Sequence, residues 1–307
     1  MSGQGKPRGK GDYTKVGETS EPMFVRLPEP QTLFAARASR LAVLAEGNSL
    51  EPYLAFLSRL VATQHAAQAA LPPAQSLPGA RLAQQFNHAM PPLSSDLLAD
   101  DPSFAAALDW ICRHGSASDA PPQAEQARAR LHAMPWPERL GLAEAVFEAA
   151  YPAEQLGECL YVAAALQVRL AQHAARLEPA RLRPVGDGVC PVCGRPPVAS
   201  MVVGWAGANR ARYCCCSLCG TMWNYVRIKC TSCGGTGGIA YYAIEAGPSE
   251  IAAETCDTCG TYIKHLHQHK NPQLEPFADD LASFGLDLLV REKGFHRGAA
   301  NPLMVVG

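Results

Sequence analysis

From about residue 30 to residue 180 the apolar positions recur at spacings of three and four, the pattern of helices that each bury one face. Asn48 or Ser49 is placed to cap one such helix, along which Leu50, Leu54, Leu57 and Val61 fall in line. Pro135 and Pro137 open a second, with Leu140, Ala143, Phe147 and Tyr151 on its inner side. After Pro152 a third aligns Leu156, Cys159, Ala163, Leu166 and Leu170. The Pro- and Ala-rich stretch from Leu71 to Pro92 predicts short helices and loops instead. Stripes of this kind are core far more often than cofactor pocket, so residues 23–184 read as an all-α domain.

Near Pro184 the period shortens. Val198–Trp205, Met222–Ile228, Ile239–Ile244 and Thr261–Leu266 are β-branched or aromatic runs interrupted by glycine, which predicts short strands and tight turns. After Pro276 a helical stripe returns through Phe277, Leu281, Phe284 and Leu288, with Gly285 marking a point where it can break. The expected fold is α+β: an N-terminal helical domain, a β module over 185–270, and a closing helix and tail over 271–307. Residues 1–22, polar and rich in Gly, Lys and Ser, are expected to form a disordered leader.

Composition narrows the function. The chain has 307 residues, 48% of them apolar, and a formal net charge of -1, which argues against bulk attraction to nucleic acid or anionic lipid. No run approaches the roughly 20 apolar residues of a membrane helix, and the N-terminus lacks the apolar core of a secretory signal. A cytoplasmic location is expected. Twelve cysteines in a reducing compartment point to metal or redox chemistry before disulfides. Cys112 and Cys159 lie within helical patterns and read as small buried apolar residues.

Eight of the other ten cysteines form four C-x-x-C pairs, Cys190/Cys193, Cys216/Cys219, Cys230/Cys233 and Cys256/Cys259, each followed by a glycine. The second set repeats the first at a constant offset, since 230 - 190 and 256 - 216 both equal 40, and Thr221 and Thr261 extend the match. An internal duplication therefore runs through the module, and it divides into 185–228 and 229–270. The spacing has a physical cause. One tight turn aims both sulfurs of a pair at a single ion, its N–H groups donate to those sulfurs, and the glycine closes the loop at positive φ. Two such knuckles joined by a hairpin complete a tetrahedral four-sulfur site. Sequential pairing puts Cys190, Cys193, Cys216 and Cys219 around one ion and Cys230, Cys233, Cys256 and Cys259 around another. Interleaved pairing stays open, with the duplication against it. Thioredoxin-like dithiol chemistry wants one such pair opening a helix, which four glycine-terminated pairs fit poorly. Either zinc or a single iron suits four thiolates.

Weaker signals sit nearby. Cys214 and Cys215 adjoin Cys216 and read as spare thiols or as passive neighbours, and Cys214 is an alternative to Cys216 as ligand. His265, His267 and His269 alternate, so a strand puts them on one face, either a solvated face or a third metal site. Tyr213, Trp223, Tyr225 and Tyr262 are aromatic side chains available to shield an ion. Asp279 and Asp280 begin the late helix, where they suit its positive end. Nothing resembles a nucleophile elbow, a phosphate loop or a paired catalytic carboxylate, so no enzyme is expected. Two rivals remain: a zinc-ribbon nucleic-acid-binding protein, and a redox enzyme working through metal or thiols. From Asp187 to Lys270 seven Lys and Arg stand against five Asp and Glu, too little clustering for a strong phosphate footprint.

The four knuckles resemble the formate dehydrogenase accessory protein FdhE family. So do Met222-Trp223-Asn224-Tyr225-Val226-Arg227-Ile228-Lys229-Cys230 and Cys256-Asp257-Thr258-Cys259-Gly260-Thr261-Tyr262-Ile263-Lys264. Ala278-Asp279-Asp280-Leu281-Ala282-Ser283 and Asn301-Pro302-Leu303 are similar to the family's closing segment. The resemblance implies a cytoplasmic accessory protein required for formate dehydrogenase activity. It also implies association with the catalytic subunit of a respiratory formate dehydrogenase. It further implies two tandem rubredoxin-like ribbons whose mononuclear sites take iron in preference to zinc, with redox activity as a possible role. Cys214 and Cys215 lie outside the family's knuckle pattern.

Overall fold

The computed structural model describes residues 21–115, 120–245 and 247–304. The leader expected over 1–22 lies almost wholly outside them. A two-residue strand, β1 (Val25–Arg26), precedes the helices α1 (Pro30–Ala45), α2 (Glu51–Ala70), α3 (Gly79–Asn87), α4 (Leu97–Asp100), α5 (Pro102–His114), α6 (Pro122–Ala133), α7 (Trp136–Phe147) and α8 (Leu156–Ala174). Each of the three helices expected from periodicity is present. Asn48 acts just ahead of α2, its side-chain oxygen accepting from the Leu50 N–H at 2.9 Å, and Leu54, Leu57 and Val61 are buried. Tyr151 falls beyond the end of α7.

Helix α8 departs from the one-faced stripe. Every residue from Glu158 to Ala174 is buried, because α2, α5, α6 and α7 pack around it. Its polar side chains are therefore enclosed and need partners. Gln64 donates to the Ala164 carbonyl at 2.9 Å and to Gln167 at 3.0 Å, Arg169 donates to the Pro72 carbonyl at 3.0 Å, and His173 meets Asp101 at 3.1 Å. Gln167 also donates to the Ser217 carbonyl at 3.2 Å, which ties this central helix to the β module.

The module contributes β2 (Pro197–Val202), β3 (Arg212–Cys216), β4 (Met222–Asn224), β5 (Ile239–Tyr242), β6 (Ile251–Cys256) and β7 (Thr261–Leu266). Helices α9 (Pro276–Ala282) and α10 (Phe284–Glu292) and the strand β8 (His296–Arg297) follow. The order β1-β4-β3-β2-β7-β6-β5 shows a single sheet running through both repeats, with β8 also on β7. Pairing within each repeat is antiparallel, as tight turns require. The repeats join by parallel pairing of β2 with β7, Ala199 opposite Lys264 and Met201 opposite Leu266. At one end β1 caps β4, Val25 opposite Trp223.

The closing segment corrects one expectation. The stripe from Phe277 to Leu288 is two helices, broken at Ser283, whose N–H bonds the Asp279 carbonyl. Beyond the break the buried face passes to Leu286, Asp287 and Val290, leaving Leu288 exposed. Asp279 stands in the first turn of α9, as expected, and both it and Asp280 are buried. Asp279 accepts from the Glu275 N–H at 2.7 Å and pairs with Arg40 at 2.6 Å, so it serves the helix end and the helical domain together. Asp280 pairs with Arg297 at 2.8 Å, and Lys264 lies between Asp280 and Asp287 at 3.5 and 2.6 Å. Burial alone would raise the Asp280 carboxyl; Arg297 and Lys264 outweigh it and hold it below its ordinary value.

Candidate metal centres

The eight knuckle cysteines gather into two groups of four, with all sulfurs of a group within 4.8 Å of one another. The grouping is sequential: Cys190, Cys193, Cys216 and Cys219 form one, Cys230, Cys233, Cys256 and Cys259 the other. In the first, sulfur separations are 3.6 Å for Cys190–Cys219, 3.3 Å for Cys193–Cys216 and 3.6 Å for Cys193–Cys219. In the second, Cys230–Cys259 and Cys233–Cys256 are both 3.7 Å apart. A tetrahedron with metal–sulfur bonds of about 2.3 Å has edges of about 3.8 Å, so each group could hold one ion with little adjustment.

The local sequence explains the convergence. Cys190 N–H donates to the Arg195 carbonyl and Gly194 N–H to the Cys190 carbonyl, and the repeat has Cys230 to Gly235 and Gly234 to Cys230 in the same places. Gly194, Gly220, Gly234 and Gly260 stand at φ of 72°, 74°, 71° and 70°, a conformation that a side chain would strain. The turns aim N–H groups at sulfur: Val192 at Cys190, Leu218 and Cys219 at Cys216, Ser232 at Cys230, over 3.3–3.4 Å. The duplicated threonines take part too. Thr221 lies 3.2 Å from the Cys219 sulfur and Thr261 3.0 Å from the Cys259 sulfur. Their positions were visible in the repeat, and their contact with sulfur was not. The contacts shape sulfur charge in either site.

The two groups differ in their surroundings. All four sulfur-bearing residues of the first are buried. The helical domain closes over its knuckles, with Leu93 N–H on the Val192 carbonyl at 2.9 Å and Arg195 on the Phe147 carbonyl at 3.0 Å. In the second group Cys233 is exposed and Cys259 half-buried. Burial pushes the Cys190 and Cys193 thiols well above their ordinary range, while sulfur and amide donors outweigh burial at Cys216 and pull it well below. Cys190 and Cys193 thus resist ionising beside Cys216, and a cation among the sulfurs would favour their thiolate forms. Zinc there would hold shape without redox change, and iron would add one-electron chemistry.

Residues outside the knuckles fall as follows. Cys214 and Cys215 are buried in β3 and belong to neither group. Burial pushes the Cys214 thiol up to about 12. The three histidines do share a side of β7 and its extension, with ring centroids 5.0 and 5.4 Å apart. The solvated-face reading fails at His265, which is buried with its Nδ1 2.9 Å from the Ser200 hydroxyl. The histidines are not among the groups able to hold an ion, taken over the described residues. The aromatic residues have other partners: Tyr213 donates to the Met23 carbonyl, Tyr225 to Asp187 and Tyr262 to Asp287.

Comparison with known proteins covers nearly the whole chain. Residues 22–187 match the model "FdhE, N-terminal", residues 189–227 "FdhE, central domain", and residues 228–304 "FdhE, C-terminal domain". A protein FdhE homolog of Rhizobium meliloti is 40% identical over 296 residues, 96% of this chain and 97% of that protein. The homolog of Stutzerimonas stutzeri is 35% identical over 292 residues, 94% of each. The crystal structure of the FdhE protein from Pseudomonas aeruginosa superimposes with a TM-score of 0.82 at 32% identity, covering 92% of this chain and 99% of that one.

Proposed function

The chain belongs to the FdhE family, and we propose that it is a cytoplasmic accessory protein for formate dehydrogenase that binds the catalytic subunit through its β module. In this reading it has no substrate of its own. Cys190, Cys193, Cys216 and Cys219 hold one mononuclear ion, and Cys230, Cys233, Cys256 and Cys259 a second, with iron preferred to zinc. The observation that carries the reading is the duplicated four-sulfur constellation, one copy built into the core and one opening at the surface.

The residues divide the work. The buried copy joins the ribbon to α7 and to the segment before α4, and so fixes the module against the helical domain. The outer copy places an ion just beneath the surface that a partner meets, where iron would allow exchange of an electron. Pull-down with a purified formate dehydrogenase catalytic subunit tests this. The wild-type chain should retain the subunit, and a Cys230→Ser variant should retain much less. Equal recovery removes the outer site from recognition, and no recovery by the wild type removes the partner. A colourless, zinc-loaded native preparation ends the electron-transfer role.

A further inference from the structure

The two ends of the sheet are treated differently. At one end β1 covers β4. At the other, no strand among the described residues pairs with the outer side of β5. The Asp257 N–H bonds the Gly238 carbonyl, and the Ile239–Cys256 and Tyr241–Glu254 pairings continue that register. Antiparallel alternation then turns the main-chain groups of Ala240 and Tyr242 toward β6 and those of Ile239 and Tyr241 outward. Edge strands are ordinarily blunted by lysine, proline or a bulge. The run Ile239-Ala240-Tyr241-Tyr242-Ala243-Ile244 has no charge and no proline. In the first repeat the corresponding strand, β2, has its outer side occupied, by β7 in parallel.

Exposed apolar side chains collect beside this edge. Arg212, wholly buried, donates to the Val226, Arg227 and Lys229 carbonyls at 3.2, 3.3 and 3.0 Å and pairs with Glu254 at 2.7 Å. The other oxygen of Glu254 accepts from the Tyr241 hydroxyl at 2.8 Å. One buried guanidinium–carboxylate pair thus fixes the 226–229 loop against β5. Around it Val226, Ile228 and Tyr241 remain 62%, 60% and 48% exposed. Arg227, exposed in the same loop, makes the rim basic.

We propose that the β5 edge and the Val226–Ile228 loop form a docking surface for an extended segment of the partner protein. That segment adds to the sheet as a further strand, sets apolar side chains on Val226, Ile228 and Tyr241, and carries acidic residues toward Arg227. The arrangement continues the strand addition already made within the chain, where β7 joins the free side of β2. Strand addition takes affinity from main-chain bonds and selectivity from alternate side chains. A second copy fits less well. Four residues of edge offer roughly 13 Å of ladder, and a contact of that length one sheet thickness (about 10 Å) wide covers on the order of 130 Å² a side, far short of the about 800 Å² per partner of a stable interface. The identity of the partner rests on the function proposed above; the location of the surface does not.

The experiment uses the full chain, metal-loaded, with a purified formate dehydrogenase catalytic subunit. Hydrogen exchange on the complex should slow the Ile239 and Tyr241 amides at least about tenfold. Tyr241→Pro, which removes an outward donor, and the Val226→Asp/Ile228→Asp pair should each weaken binding at least about tenfold, whereas Tyr241→Phe should bind nearly as the wild type does. Metal content and melting temperature establish that the variants are folded, and the exchange measurement stands without them. Binding with unchanged β5 amides overturns the strand-addition proposal and leaves the accessory function intact. Absence of binding by the wild type overturns that function. A wild-type dimer that Tyr241→Pro converts to monomer assigns the edge to a second copy and overturns the proposal.

Discussion

The two sulfur constellations share ligand type, turn geometry and threonine contacts, yet they occupy opposite environments. The first is sealed between ribbon and helices, its Gly194 turn against Pro91 and its Gly220 turn against Leu33 and Pro28. The second leans on the chain's own later segments, with His296 N–H on the Gly260 carbonyl at 2.9 Å, and leaves Cys233 in water. Duplication copied the ligand set, and the packing around each copy leaves one buried and one partly exposed. A site that is core cannot lose its ion without exposing apolar surface. A site at the rim can.

Loss of a sulfur tests this contrast most severely. A structural zinc contributes about 10–16 kcal/mol in small finger peptides. Cys193→Ser should therefore abolish cooperative melting of the β module and loosen α8, read by circular dichroism. Cys233→Ser should keep the helical transition and one bound ion. Equal damage from both would erase the distinction.

The next effect concerns the clasp behind the second site. Lys264→Met strands Asp280 and Asp287 with Arg297 as their remaining cation. Removing one partner of a buried ion cluster costs about 3–5 kcal/mol. Urea unfolding should show that loss concentrated in the second repeat and the closing helices. A chelator with a chromophore should then resolve two release phases from the wild type. The outer ion should leave roughly ten times faster, since a rim site opens locally where a core site needs wider unfolding.

Proton titration separates the regions further. Burial, with Lys270, His269 and Arg227 adding repulsion, lowers His267 from 6.5 to about 4. The unfolded chain then binds more protons in that interval, so the sheet loses stability as pH falls from 6.5 toward 4. At Asp101, burial would raise the carboxyl, but His173, Ser103 and Arg169 bring it from 3.8 to about 2. Its contribution to the helical domain is present above 3.8 and is lost as pH falls through about 2. His267→Asn should flatten the first dependence and Asp101→Asn the second, each measured by denaturation across pH. The smallest effect is at the spare thiols. Cys214 and Cys215 should resist alkylation in the folded, loaded chain while Cys233 of metal-stripped protein reacts, as mass spectrometry would show.

The candidate site was legible because its signal is local. A knuckle is written in four consecutive positions and a glycine, and the repeat supplied the pairing of knuckles into groups. What escaped is long-range. The β1–β4 pairing spans Val25 to Trp223, and the parallel β2–β7 join depends on where two hairpins settle. Neither leaves a mark in spacing. The complete burial of α8 hid behind Glu158, Gln167, Arg169 and His173, polar residues that read as a wet face until their partners are known. The burial of Lys264, Asp280 and Asp287 was hidden for the same reason, because a charge in sequence carries no sign of being enclosed. The break at Ser283 had a visible cue in Gly285, and the new buried face beyond it had none.

The metal-to-chain ratio of natively purified protein, measured for the wild type and for Cys233→Ser, tests the central claim most directly. The account predicts two ions per chain in the wild type and one in the variant, the retained ion being the buried one. A wild-type chain with no ion, or with its knuckle sulfurs joined as disulfides, would contradict it.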